Sequence, residues 1–247
     1  MFKKQVTPLI EVVSTLEGLE LVEEVLPKPA NKFIPEWWKT TSLIETVVTS
    51  KEVTVGNVKN CPSFPDYFSA GIVIPMWADS ILKYDRNTEQ YSWRTSHEKF
   101  RWSSHSNQQF LSHVPFKHLN QNGNFIFKSD CPWYIITPPG YSVLQLPLFY
   151  HYTNEFTVLP GIIDTDTHHV VNQQVLLTSE KDEIFIKRGT PLVQYVPFKR
   201  EPLNLEVRYQ TEQDKKRFEN FRMPFFTQFS GSKQYISKRK KVERDGR

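Results

Sequence analysis

PGIIDTDTHHVVNQQVLLTSEKDEIFIKRGTPLVQYVPFKR, running from Pro160 to Arg200, breaks into short apolar runs separated by turn residues. Residues 175–177, 183–186 and 192–198 are short, largely apolar runs, and Asp, Pro and Gly stand between them. Runs of roughly four to eight such residues with that punctuation read as consecutive strands. Gly189 supplies the positive φ of a hairpin turn, after which residues 192–196 alternate across two faces. Asp164 and Asp166 stand where a strand turns back, and short carboxylates bond backbone N–H groups in such turns.

The same pattern extends outward. Residues 125–127, 133–137 and 141–146 are further short apolar runs, and 203–209 reads as the last strand. Upstream, CPSFPDYFSAGIVIP (61–75) predicts a proline-rich loop around a short helical turn leading into a strand at 72–76. Residues 91–93 and 100–102 read as a β pair, 103–122 as loops and 6–13 as a strand, while 16–26 fits a short helix or a second strand. Pro27, Pro29 and Pro35 break regular structure and leave an extended arm whose Phe33, Ile34, Trp37 and Trp38 are expected to pin it to the body. Residues 212–221 read as a charged helix with Phe218 and Phe221 on one side. The expected organisation is an aromatic arm over 1–60, a mainly β core, barrel or sandwich, over 61–210, and a helix with a basic tail over 211–247.

Composition narrows the setting. The 247 residues are 14% aromatic, enough large side chains for a sizeable core rather than a disordered chain. With 9 Gly against 17 Pro there is no Gly-rich phosphate loop, and connections are proline-punctuated. Cys61 and Cys131 lie far apart without CxxC spacing, so neither a zinc site nor a disulfide framework is implied and a reduced, cytoplasmic setting is expected. No secretory leader and no run of about 20 apolar residues is legible, so no membrane partner is expected. The net charge of +4 is concentrated at one end, in Lys238, Arg239, Lys240, Lys241, Arg244 and Arg247. That cluster is either a solvated tail or an arm for nucleic acid.

Between Thr137 and Arg200 the order TPPGY, LPGIIDTD, IKRGTPLVQYVPF resembles the dUTPase and dCTP deaminase superfamily. The resemblance implies a β-clip, dUTPase-like fold, often closed as a homo-oligomer. Asp164 would take the water-positioning role, Gln194 a phosphate contact, and Asp166 and Gly189 would line the ligand, with Mg only if nucleotides bind. Leu148 and Phe149 stand where such enzymes place an Arg-Ser pair, and Thr167 where they place an aromatic residue. A dCTP deaminase would need a Glu where Val171, Asn172, Gln173, Gln174 and Val175 supply none. Phosphate charge then lacks its electrostatic partner. Asp164 is accordingly expected to cap a turn. The expectation is a non-catalytic structural, assembly or binding protein; a dUTP pyrophosphatase or dCTP deaminase and a nucleic-acid accessory protein are the alternatives.

A longer pattern, PEWWK, CPSFPDYFSAGIVIP, PWYIITPPGY, PGIIDTDT and GTPLVQYVPFKRE, resembles a family without assigned activity in tailed-phage and some bacterial genomes. It implies other phage proteins as partners, in host cytoplasm or virion. No metal site is expected, because His168 and His169, adjacent on a strand, point to opposite faces.

Overall fold

Alternating apolar runs become strands throughout, so the architecture is mainly β as the sequence predicts. The structure, a computed structural model, describes residues 9–48, 52–85, 87–88, 90–105, 126–151, 153, 155–179, 181–221 and 241. The strands are β1 (Glu11–Ser14), β2 (Lys28–Pro29), β3 (Ile44–Val48), β4 (Glu52–Gly56), β5 (Ile72–Pro75), β6 (Ser80–Asp85), β7 (Gln90–Thr95) and β8 (Trp102–His105). They continue as β9 (Ile126–Ser129), β10 (Trp133–Ile136), β11 (Tyr141–Pro147), β12 (Phe156–Val158), β13 (Gly161–Ile163), β14 (Gln173–Leu177), β15 (Glu183–Ile186) and β16 (Pro191–Lys199). The α-helices are α1 (Glu36–Thr40), α2 (Ser63–Ser69) and α3 (Glu212–Phe221). Among the described residues no helix is long and apolar enough to cross a membrane.

Two compact units form: Met1–Phe33 with Gly71–Arg200, and Ile34–Ala70 with Glu201–Arg247. The larger holds a five-stranded sheet (β13-β11-β16-β5-β2), a four-stranded sheet (β12-β14-β9-β8), a three-stranded sheet (β15-β6-β7) and the pair β1-β10. All of their ladders are antiparallel. Ile74, Tyr84, Trp102, Phe127, Trp133, Val143, Val175, Ile186 and Tyr195 join one contiguous core drawn from all four sheets. Burial of such side chains is the main stabilising force.

β16 is central, paired on both edges, and Leu192, Val193, Gln194 and Tyr195 are all buried. Strict alternation would place Leu192 and Val193 on opposite faces, yet both join the core, because the register against β5 shifts between Pro191 and Val193. An extra residue at such a bulge re-aims its side chain.

The core also encloses a polar network. The Tyr195 hydroxyl donates to Gln145 Oε1 at 2.9 Å and accepts from Gln173 Nε2 at 3.1 Å. Gln145 Nε2 reaches the Leu159 carbonyl at 2.7 Å, and Gln173 Nε2 also reaches that of Val171 at 2.6 Å. Tyr195→Phe would remove the hydroxyl between two buried amides, and an unsatisfied buried group costs about 1–3 kcal/mol. A urea unfolding midpoint lowered by that amount is the expected result; an unchanged midpoint would show that the amides re-pair.

In the smaller unit Trp38 stacks on Phe64, with centroids 5.3 Å apart, and meets Phe68 edge-on. β3 and β4 form a hairpin that the sequence reading left in the arm. Helix α3 starts where expected because Thr211 and Asp214 cap it reciprocally: the Asp214 amide donates to Thr211 Oγ1 at 3.2 Å, and the Thr211 amide to Asp214 Oδ2 at 2.8 Å. Phe218 on α3 is exposed.

Three sequence expectations change. Residues 91–93 and 100–102 do lie in or beside strands but do not pair: β7 pairs with β6, and β8 with β9. Residues 16–26 carry two short 3₁₀ turns, Leu19–Leu21 and Glu23–Val25. Residues 203–209 form no strand, since no described strand lies alongside to complete a ladder. The expected loop over 103–122 and the start of the strand at 6–13 fall largely outside the described residues.

Candidate functional site

β11 pairs antiparallel with β13 and opposes Val143 to Ile163, so the next residue along, Asp164, comes level with Ser142. β16 runs along the other edge of β11, with Tyr141 opposite Lys199 and the Arg200 amide donating to the Gly140 carbonyl at 2.8 Å. Three strands of one sheet thus bring the PPGY turn, the aspartate turn and Arg200 to one end.

Arg200 organises this end. Its guanidinium donates to both Asp166 oxygens, to Ser142 Oγ at 2.7 Å and to the Tyr141 carbonyl at 3.2 Å, and it pairs with Asp164 Oδ1 at 3.2 Å. Ser142 Oγ in turn donates to Asp164 Oδ1 at 2.6 Å, and the Gly140 amide donates to Asp166 Oδ2 at 2.9 Å. The Asp166 side chain is 7% exposed and that of Asp164 57%. The Asp164 carbonyl accepts from the amides of Thr167 and His168, which closes the turn. Beneath it Thr137 Oγ1 and Thr165 Oγ1 lie 2.8 Å apart.

The Arg200 hydrogen bonds, followed by that of the Gly140 amide, hold the Asp166 carboxyl down to about 2. In the unfolded chain it would titrate near about 4. The folded-state value is the lower one, so the stability this clasp contributes is full above about pH 4 and is lost as pH falls toward 2. Asp166→Asn is therefore expected to lower the melting temperature at neutral pH and to flatten its fall between pH 4 and pH 2. A variant that tracks the wild type across that window would show that the clasp contributes nothing.

The four residues singled out in the sequence do not converge. Asp164 and Asp166 share the clasp. Gln194 is 1% exposed in mid-strand, opposite Leu146 and Val73. Gly189, at φ 83°, lies in the turn before β16, where its amide donates to the Met76 carbonyl. At about 3.4 Å per residue along a strand, Gln194 is roughly 20 Å and Gly189 more than about 30 Å from Arg200. Leu148 and Phe149 follow β11, with Phe149 68% exposed.

Sequence reasoning missed Arg200, since nothing local distinguishes it from Lys199; only the strand register places it over the aspartates. With a guanidinium on both carboxylates, this pair does not fit a divalent cation such as Mg. Among the described residues no group of three or more His, Cys, Asp or Glu is placed to hold a metal ion. His169 Nδ1 is engaged with the Thr165 carbonyl at 2.9 Å. Burial raises the Cys131 thiol to about 11, so it is not a ready thiolate. Of the basic tail residues Lys238, Arg239, Lys240, Lys241 and Arg244, only Lys241 is among the described residues, and it is exposed.

Strands and clasp together define an antiparallel, mainly β protein. No family model matches the chain, and no curated protein matches it. Among solved structures it is similar to the native EIAV dUTPase at 13% identity, over 58% of this chain and 85% of that one, with a TM-score of 0.31. It is also similar to a point mutant of the dUTPase from phage phi11 of S. aureus, a structure described for its structural Mg(II) ion. There the identity is 11%, over 47% of this chain and 99% of that one, and the TM-score is 0.28. Likenesses of this size carry no functional argument.

Proposed function

We propose that this chain is a non-catalytic structural or assembly protein that self-associates by adding residues 203–209 as a strand to a second copy. One observation carries the reading: Leu203, Leu205, Val207 and Tyr209 alternate with polar residues and are 87, 73, 84 and 82% exposed. Period-two alternation is the pattern of a half-buried strand, yet no described strand pairs with this segment. An unpaired strand with an apolar face is a template for addition to another sheet.

The second copy is the favoured partner because both halves of the contact are on one chain. Edge strand β13 exposes Ile162 at 63%, and edge strand β15 exposes Phe185 at 53%. Four apolar side chains from each of two arms, with what they cover, bury on the order of 1,000 Å², the size of a specific interface. The non-catalytic part is supported by Arg200 and Ser142 on Asp164 and by Leu148 and Phe149 where phosphate would need a cation. The phage-type setting rests on the sequence resemblance alone. Light scattering across a concentration series tests the reading: a mass of at least two 29.1 kDa chains is expected. A single-chain mass at every concentration would overturn it.

A further inference from the structure

The two edge strands that expose an apolar side chain, β13 with Ile162 and β15 with Phe185, differ in what their backbones offer. In an antiparallel ladder alternate residues bond the neighbouring strand, and those between turn their N–H and C=O groups the other way. The Tyr84 amide donates to the Asp182 carbonyl at 3.0 Å, and the register then sets Ile184 opposite Leu82 and Ile186 opposite Ser80. Glu183 and Phe185 therefore turn their backbone groups away from β6, and those groups have no other bond among the described residues. β13 offers half as much. The Arg200 amide donates to the Gly140 carbonyl, so the even-numbered residues of β11 bond β16, while Val143 and Gln145 bond β13 at Ile163 and Gly161. Only Ile162 of that strand points its groups outward. Its flanks add little, since Pro160 has no N–H and the Asp164 carbonyl already accepts from Thr167 and His168.

Side chains and charge set the face and the direction. On β15 Ile184 and Ile186 are buried, while Glu183 and Phe185 share the outer face with Lys83 and Ile81 of β6. An apolar residue opposite Phe185 extends the row that Phe185 and Ile81 begin, whereas the far edge of the same sheet, β7, places Arg94 in that row. The β15 segment opens with Asp182 and Glu183 and closes with Lys187 and Arg188, and the 203–209 arm likewise carries Glu206 before Arg208. Antiparallel docking brings Arg208 to the acidic end and Glu206 to the basic end. Parallel docking would bring like charges together, which is unfavourable across strands.

Given self-association through residues 203–209, on which this assignment rests, we propose that the arm of one copy docks antiparallel on the free edge of β15 in a second copy, with Val207 opposite Phe185. Tyr209 then falls opposite Glu183 and Leu205 opposite Lys187. The backbones of Val207 and Tyr209 bond the outward groups of Phe185 and Glu183, and the apolar side of the arm covers the exposed Phe185 ring.

Cysteine pairs in the full chain test this on a Cys61→Ser background, where the buried Cys131 is the remaining native thiol. Phe185→Cys with Val207→Cys should cross-link on mild oxidation, most of the protein then running at the mass of two chains or more. Directly opposed residues of such a ladder lie about 5.5 Å apart between Cα atoms, within disulfide reach. Ile162→Cys with Val207→Cys should stay uncross-linked, and so should Phe185→Cys with Glu206→Cys, because residue 206 faces the other side of the arm. All four positions are exposed, so the melting temperatures of the reduced variants should match the wild type. Light scattering of the wild type separates the two ways of failing. Association without the 185–207 cross-link, or with the 162–207 or 185–206 pair linking as well, overturns this docking and leaves self-association standing. A single-chain mass at every concentration overturns self-association and this docking with it.

Discussion

Gly71→Ala is expected to remove on the order of 4 kcal/mol of stability, a large share of what a domain of this size has. Two effects coincide at this residue. Its φ is +67°, a conformation that L side chains avoid. A Cβ built there would lie 2.0 Å from the Tyr195 carbonyl oxygen and 2.9 Å from the Val196 Cα. Both obstacles are backbone atoms of β16, the central strand, so no rotamer change relieves them. Gly71 also holds β2 in place, since its carbonyl accepts from the Ala30 amide at 3.1 Å. Urea unfolding followed by tryptophan fluorescence measures the effect. A midpoint like that of the wild type would mean that β5 can move away from β16 at little cost.

Leu205→Arg combined with Val207→Arg should abolish self-association. Buried anchors at interfaces contribute about 2 kcal/mol or more each, roughly thirtyfold in dissociation constant, and two together take micromolar association out of reach. The fold itself should be untouched, because both side chains are largely exposed within one chain. The expected result is a drop to monomer mass with an unchanged melting temperature. Lysine at Phe185 or Ile162 then separates the two acceptor edges: the edge that receives the arm loses association, and the other does not. Association that survives the double arginine variant would move the interface away from residues 203–209.

Legibility in the sequence followed the range of the interaction. Strand content, the positive-φ turn at Gly189 and the helix over 212–221 depend on neighbouring residues, and each was readable as a local pattern. The clasp was half readable. Asp164 and Asp166 announce a turn by type and position, whereas Arg200 is one basic residue beside another until β11 carries it opposite Gly140. The pairing of 91–93 with 100–102 was misread for the same reason, since adjacency in sequence is only a first guess and β7 pairs with β6 while β8 pairs with β9. Gly71 carried no local signal of the backbone that crosses it.

Residues 203–209 show the division most clearly. Their alternation belongs to the sequence, because side chains point to opposite sides of an extended chain whatever surrounds them. Whether such a segment becomes a strand is decided elsewhere, because its N–H and C=O groups need a partner strand and its apolar face needs a surface to cover. The sequence alone thus determined a mainly β chain with its turns and its last helix. Tertiary structure decided which edges meet, that Arg200 occupies the aspartates, and that this final strand-like segment finds no partner strand among the described residues, since each depends on groups brought together from distant parts of the chain.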